Sequence, residues 1–322
     1  MKFKMTVMAA AIAFSGTALA NGNVSNVDQV GYDNDVSVSQ YTQGWGGNNT
    51  SGVSQDGVGN GATVHQQGWW GYNVSDIDQE GLGNDADVFQ NGTNNSAAIT
   101  QSGQFNSSDS QQIGTQNVLE VNQEGAKNSA STYQNGWNNF ADISQSGFAN
   151  SSDTVQDGKY NIAQVRQNGV KNASDITQSG INNYADVDQD GRFNDSTIVQ
   201  AGTGNVAEVL QRDTKDTADI TQDGKYNTAT VDQSNFNNDA IIVQNGRNHY
   251  SEVTQSGYND LADSFQSGNG HYSSITQAAS SGYLGGLMSL ATNTATHVQM
   301  GHNNAATTSQ VGGGNTAHVF QN

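Results

Sequence analysis

A glutamine returns every eleven residues along most of this chain, and that spacing limits the possible folds more than any other feature. From Gln79 the series runs through Gln90, Gln101, Gln112, Gln123, Gln134, Gln145, Gln156, Gln167, Gln178, Gln189 and Gln200 to Gln277. It breaks once, at Met288, and resumes at Gln299, Gln310 and Gln321. A fixed short period is the signature of a solenoid. With the glutamine as position 0, position +2 is usually Gly (Gly81, Gly92, Gly103). Position +5 is usually Asn (Asn84, Asn95, Asn106, Asn128, Asn150, Asn172, Asn194). Position −4 is small (Ala86, Ala97, Ser108) and position −2 is mostly β-branched (Ile77, Val88, Ile99). Alternation of period two from −6 to 0 predicts a strand whose even positions share one face. Gly with a nearby Asn predicts a turn, since both tolerate positive φ.

The odd repeat length fixes the topology. In an unbroken strand a shift of eleven would throw alternate glutamines onto opposite faces. A reversal between Gly(+2) and Asn(+5) restores the parity and keeps every Gln inside. Two units then make one coil of about twenty-two residues, with strand n lying parallel over strand n+2 at about 4.8 Å. The sequence therefore predicts an all-β, two-sided parallel β-solenoid of strand-turn-strand coils.

A buried, unpaired amide costs on the order of 1–3 kcal/mol. In a column of identical glutamines each side-chain N–H faces the carbonyl of the next, which turns that cost into an amyloid-like ladder. The Asn column offers the same pairing while closing turn backbone groups. Hydrophobic burial alone does not hold the fold. About two Ile or Val side chains per coil, at roughly 1.5–3 kcal/mol each, stand against about 1–2 kcal/mol of backbone entropy for every ordered residue. Strand hydrogen bonds and amide ladders must supply much of the rest.

Residues 1–20 read as a secretory signal, with Lys2 and Lys4, a short apolar run from Met5 to Phe14, and Ala18-Leu19-Ala20 as the cleavage site. That run is too short to span a membrane, and no membrane insertion is expected. Without Lys2 and Lys4, nine basic residues face thirty acidic ones, a net charge of −21, which excludes a nucleic-acid footprint. Cys and Pro are absent, so no disulfide framework exists and no proline interrupts the strands. Residues 21–322 read as a single solenoid. Its irregularities are enlarged loops near 41–49 and 67–73, which hold Trp45, Trp69 and Trp70, and a degenerate coil over 278–298. There Met288 and Asn293 keep their places as a softened coil.

No catalytic constellation stands out: there is no thiol and no HExxH, GxSxG or P-loop pattern. No enzyme activity, cofactor or metal is expected. His249 and His271 replace Asn at +5 one coil apart and should stack. Two imidazoles can hold a transition metal, but a tolerated substitution in the turn column explains them better. His297 falls at an inward −2 position, where it is expected to weaken its coil. Outward −3 positions are often acidic (Asp76, Asp87, Asp109, Glu120, Asp142, Asp153), which argues against an ice-binding array. Stacked carboxylates such as Asp153 and Asp175 should raise one another's pKa. The −1 column of one face is largely apolar or β-branched (Phe89, Tyr133, Val155, Val199, Val243, Phe265), whereas the other is polar (Asp78, Asn122, Ser144, Arg166, Asp188). The first column is a candidate for lateral contact or attachment to apolar surfaces.

The pattern Gln-x-Gly-x-x-Asn-x-Ala-x-Ile/Val-x-Gln resembles the curlin repeat of curli, the extracellular amyloid fibres of Gram-negative bacteria, and does so over essentially all of residues 23–322. The resemblance implies a subunit that self-assembles at the cell surface, in biofilm and adhesion. It also implies a nucleator subunit, an outer-membrane secretion channel and periplasmic accessory factors as partners. Only Asn21-Gly22 stand between the signal and the first matching Asn23, where curli major subunits have a Gly/Asn-rich leader. The acidic, uninterrupted repeats favour a major subunit over a nucleator. A monomeric exported solenoid adhesin is the competing class.

Overall fold

A computed structural model describes residues 22–43, 47–278 and 292–322. The export signal, Trp45 and Met288 lie outside the described residues. Twenty-six strands follow one another from β1 (Val24–Tyr32) to β26 (Thr316–Gln321), alternating between an odd-numbered and an even-numbered sheet, each pairing in parallel. The fold is an all-β, two-sided parallel β-solenoid. The chain forms two compact units, residues 1–138 and 139–322.

The register within each unit follows the eleven-residue period. In the first unit Gln79 pairs with Gln101 and Gln101 with Gln123, each twenty-two residues on. In the second, Gln156 pairs with Gln178 and Gln178 with Gln200. Most strands are nine residues long with strictly alternating burial. Ile143, Val165, Val187, Ile176, Ile198 and Ile220 point inward, as do Ala141, Ala163 and Ala185. A small residue at −4 leaves room for the branched residue at −2, and the glutamine closes the row.

The turn departs from the expectation in one respect. Gly at +2 does take a positive φ, as at Gly169 (φ 125), where a Cβ would overlap the Gly191 carbonyl. The left-handed residue, however, is the one at +4, not the Asn at +5: Lys171, Asn182 and Phe193 have φ of 56°, 56° and 59°. The Asn side chain is thereby free to turn inward.

Two irregularities also differ from the sequence reading. Of residues 67–73, only Tyr72 and Asn73 lie outside a strand. β4 (Gly61–Gly71) runs through Trp69 and Trp70 as a strand whose register slips between Gln67 and Gly71. The second concerns Met288. β22 (Leu261–Asn269) pairs with β24 (Thr294–His302), which sets Gln266 beside Gln299. β23 (Tyr272–Ala278) pairs with β25 (Ala305–Val311), which sets Gln277 beside Gln310. Both steps are thirty-three residues instead of twenty-two, and the expected softened coil around Met288 lies outside the described residues. In sequence, Met288 stands where the ladder amide is expected, Gly286 where the branched residue is, and Leu290 where the turn glycine is. Asn293 nevertheless stays in its column, with its N–H on Asp260 Oδ1 at 3.2 Å.

Candidate functional site: amide ladders and outer faces

The repeated geometry gives the NH2 group of an interior glutamine such as Gln178 two acceptors, while its Oε1 accepts from the coil before. In the second unit Gln156 Nε2 donates to Gln178 Oε1 at 2.9 Å, Gln178 to Gln200 at 2.9 Å, and Gln145 to Gln167 and Gln167 to Gln189 at 2.8 Å. In the first unit Gln79 donates to Gln101, Gln90 to Gln112, Gln101 to Gln123 and Gln112 to Gln134, all at 2.8 Å. The second N–H crosses the core to a backbone carbonyl of the opposite sheet, as from Gln178 to Ile162 O at 2.8 Å. That cross-bond has no sequence signature, because it depends on the depth of the core.

Asn at +5 works differently from the amide-to-amide pairing read from the sequence. Its Oδ1 mostly accepts the backbone N–H of the Asn one coil on: Asn84 from Asn106, Asn106 from Asn128, Asn150 from Asn172, Asn172 from Asn194, at 3.0–3.1 Å. Its Nδ2 donates to two carbonyls, four residues back and on the next coil's glycine, as from Asn150 to Ser146 O (2.9 Å) and Gly169 O (3.3 Å). Side-chain pairing occurs where a turn is enlarged, as from Asn95 Nδ2 to Asn73 Oδ1 at 3.1 Å.

Four buried residues replace Asn in these columns. Asp216 Oδ1 accepts the Asn238 N–H at 2.9 Å, while Oδ2, standing where Asn presents its donor, is buried without a hydrogen-bond partner. Burial pushes its pKa up to about 7, and nearby Asp213 adds to the rise. Asp260 repeats the arrangement, with its pKa raised by burial against the N–H groups it accepts from Asn293. His249 and His271 stack at 5.0 Å between centroids, 2° from parallel. Their Nδ1 atoms accept the N–H groups of His271 and Asn304 at 3.2 Å. Their Nε2 atoms therefore carry the proton and donate to Asn245 O (3.1 Å) and Ser267 O (3.0 Å). Both nitrogens of each ring are engaged, which leaves no lone pair for a metal. Burial lowers the His249 pKa. His297 does point inward, but it bridges Ser273 Oγ (2.8 Å) and Thr308 Oγ1 (2.7 Å) on the facing sheet, so its polar atoms are satisfied.

On the outer faces, Phe89 and Tyr133 lie in the −1 column of the even sheet in the first unit. Val155, Val199, Val243 and Phe265 lie in the same column of the second. The thirty-three-residue step sets Val298 beside Phe265 and Phe320 beside Val298, so the column stays apolar where a strict period would have brought Leu287 and Ser309. The odd sheet is not uniformly polar. Its −5 column exposes Ile162, Tyr250 and Tyr272, the two tyrosines stacked at 5.3 Å. Two of its arginines pair with carboxylates one coil on, Arg166 at −1 with Asp188 at 3.8 Å and Arg212 at +1 with Asp232 at 3.4 Å. The Asp175 pKa is raised, first by burial and then by Asp153 and Asp195, so like-charge stacking is the secondary cause. Among the described residues no helix is long and apolar enough to cross a membrane.

These features define a class: a structural parallel β-solenoid whose coils are held by polar ladders. The curlin-associated repeat model matches residues 136–169, 161–191, 180–212 and 214–246, so the repeats of this stretch are curlin-associated repeats. No curated protein matches the chain.

Proposed function

We propose that the chain is a secreted structural subunit that polymerises end to end into extracellular curli-type amyloid fibres for biofilm matrix and surface adhesion. The observation that carries this reading is the uniform direction of the ladder. Every rung from Gln156 through Gln178, Gln200, Gln222 and Gln244 to Gln266 donates toward the next coil. A terminal coil, wherever an array stops, offers strand hydrogen bonds and amides of one sense, a template for another copy. Head-to-tail addition continues the sense, whereas head-to-head addition sets acceptor against acceptor.

In this reading residues 1–20 direct export and residues 21–322 form one repeat array. The Gln and Asn columns are the amyloid core, and Phe89, Tyr133, Val155, Val199, Val243 and Phe265 serve attachment to apolar surfaces. A nucleator subunit, an outer-membrane channel and periplasmic factors are its partners by family resemblance, and no catalytic role is assigned. The test is growth of fibres by the purified chain: a concentration-dependent lag that preformed seeds remove. A chain that stays monomeric at high concentration with seeds present overturns the proposal in favour of a monomeric adhesin.

A further inference from the structure

In residues 139–322 one corner of the coil carries two rows of opposite charge side by side. The first row stands on the turns that leave the odd sheet, where Lys171, Arg192 and Lys215 occupy three successive coils, all exposed. Lys171 Nζ sits 5.6 Å from the Phe193 ring centroid and Lys215 Nζ 5.3 Å from that of Phe236, so aromatic faces align the cations along the solenoid axis. The second row lies just beyond, on the outer face of the even sheet. Six successive strands each present one carboxylate, Asp153, Asp175, Asp195, Asp219, Asp239 and Asp263, at −3 or, for Asp195 and Asp239, at −5. Among the described residues no salt bridge involves any of these nine. The pairs formed, Arg166–Asp188 and Arg212–Asp232, are on the odd sheet.

We propose that this corner docks the same corner of a second copy in a parallel side-by-side pair, each cation row lying against the other copy's carboxylate row. A two-fold axis running along the solenoid between the two rows superposes opposite charges, and the patch is self-complementary as an isologous contact requires. Inverting one copy would instead set cation on cation. Both rows inherit the coil spacing of about 4.8 Å, so a match at one coil repeats at the next. The contact is independent of end-to-end growth, because it uses turns and one face, not terminal coils.

Charge swapping tests it in the full chain. K171E/R192E/K215E makes both rows acidic, and D175K/D195K/D219K makes both basic over the three coils that carry Lys171, Arg192 and Lys215. All six positions point outward from the core. In sedimentation velocity at low salt the parent should form lateral pairs that weaken about tenfold or more when salt screens the rows. Each variant alone should lose the pairs, and a one-to-one mixture should regain them. A parent without pairs, variants that pair like the parent, or a mixture that stays apart would each overturn the proposal. A cationic peptide or other foreign partner for the carboxylate row would appear as association unaffected by the Lys/Arg reversal. Because the chain has no cysteine, a single Thr217→Cys, between Lys215 and Asp219, gives a second readout. Copies should join through it under oxidation far faster than through Ser144→Cys on the odd sheet, and equal rates would sink the idea even if a charge variant failed to fold.

Discussion

The turns from Asn150 to Asn205 and those from Asp213 to His271 make the same reversal with different side chains. In the first group each Asn presents an acceptor to the next coil's N–H and, except at Asn194, a donor to two carbonyls, and the strands reach nine residues. In the second group the His turns keep that quality. β20 (Asp239–Arg247) and β22, which lead into His249 and His271, are full length, because a neutral imidazole also offers one acceptor and one donor. The Asp turns are mixed. β17 (Val206–Thr214), which leads into Asp216, is full length, whereas β21 (Tyr250–Ser256), which leads into Asp260, has seven residues, and β19 (Thr228–Gln233), one coil on from β17 and leading into Asn238, has six. Only the bridges Thr214↔Phe236 and Phe236↔Tyr258 continue the short strands. An ionised carboxylate has acceptors alone. A second substitution coincides there, Asp213 and Asn235 replacing Gly at +2 with φ of 86° and 81°. What separates the two kinds of replacement is the side-chain pairing: His249 keeps a donor and an acceptor at this position, whereas Asp216 and Asp260 each leave Oδ2 without a partner.

The largest expected effect comes from breaking the regular region. Gln178→Ala strands the Gln156 donor, the Gln200 acceptor and the Ile162 carbonyl at once. At about 1–3 kcal/mol per buried unpaired group, the loss should be roughly 3 kcal/mol or more. Ser144→Ala, on the outer face of the odd sheet, should stay within about 0.5 kcal/mol. Chemical denaturation of both variants measures the difference, and similar losses would mean that the amide ladder is not what holds the coil.

Repairing the irregular region should have a smaller effect of opposite sign. The Asp216 carboxyl, at about 7 in the folded chain against an ordinary 3.8, binds a proton on folding throughout that interval. Its contribution is therefore most favourable below about pH 4, declines as pH rises, and is at its worst above about 7. Asp216→Asn supplies the missing donor permanently. The variant should exceed the parent by about 1–3 kcal/mol at pH 8 and match it near pH 4. A pH-independent gain would trace the short strands to Asp213 and Asn235 instead.

The contrast also shows how far the sequence could be read. The eleven-residue period revealed the solenoid, the inward glutamines and the stacking of His249 on His271, because each follows from counting. Counting failed at the step beyond Gln266 and Gln277, which pair with Gln299 and Gln310 thirty-three residues on although the numerical period continues in between. It failed again for the carboxylates, where Asp195 and Asp239 sit two positions from the expected column yet complete the row, since adjacent outward columns merge in space. The consequence of Asp at +5 was hidden because Asp and Asn look interchangeable in a turn pattern. They become different only when the carbonyls facing the side chain are known.

The smallest predicted effect isolates the histidines, and it runs against that of Asp216. A doubly protonated His249 would point an N–H at the His271 N–H that its Nδ1 now accepts, and burial already lowers its pKa below the ordinary 6.5. The unfolded chain therefore takes up the proton first. Stability from this residue is present above about pH 6.5 and is lost as pH falls below it. Over the same acid interval Asp216 gains, so in the parent the two trends offset each other. H249N/H271N restores the amide column that Asn227 begins, and it should leave stability near its parent value at pH 8. Near pH 5 the double variant should be the more stable of the two. Denaturation midpoints at the two pH values decide the matter. A variant that loses stability equally at both would show that the stacked rings contribute packing the amides cannot replace, and that His at +5 is more than a substitute for Asn.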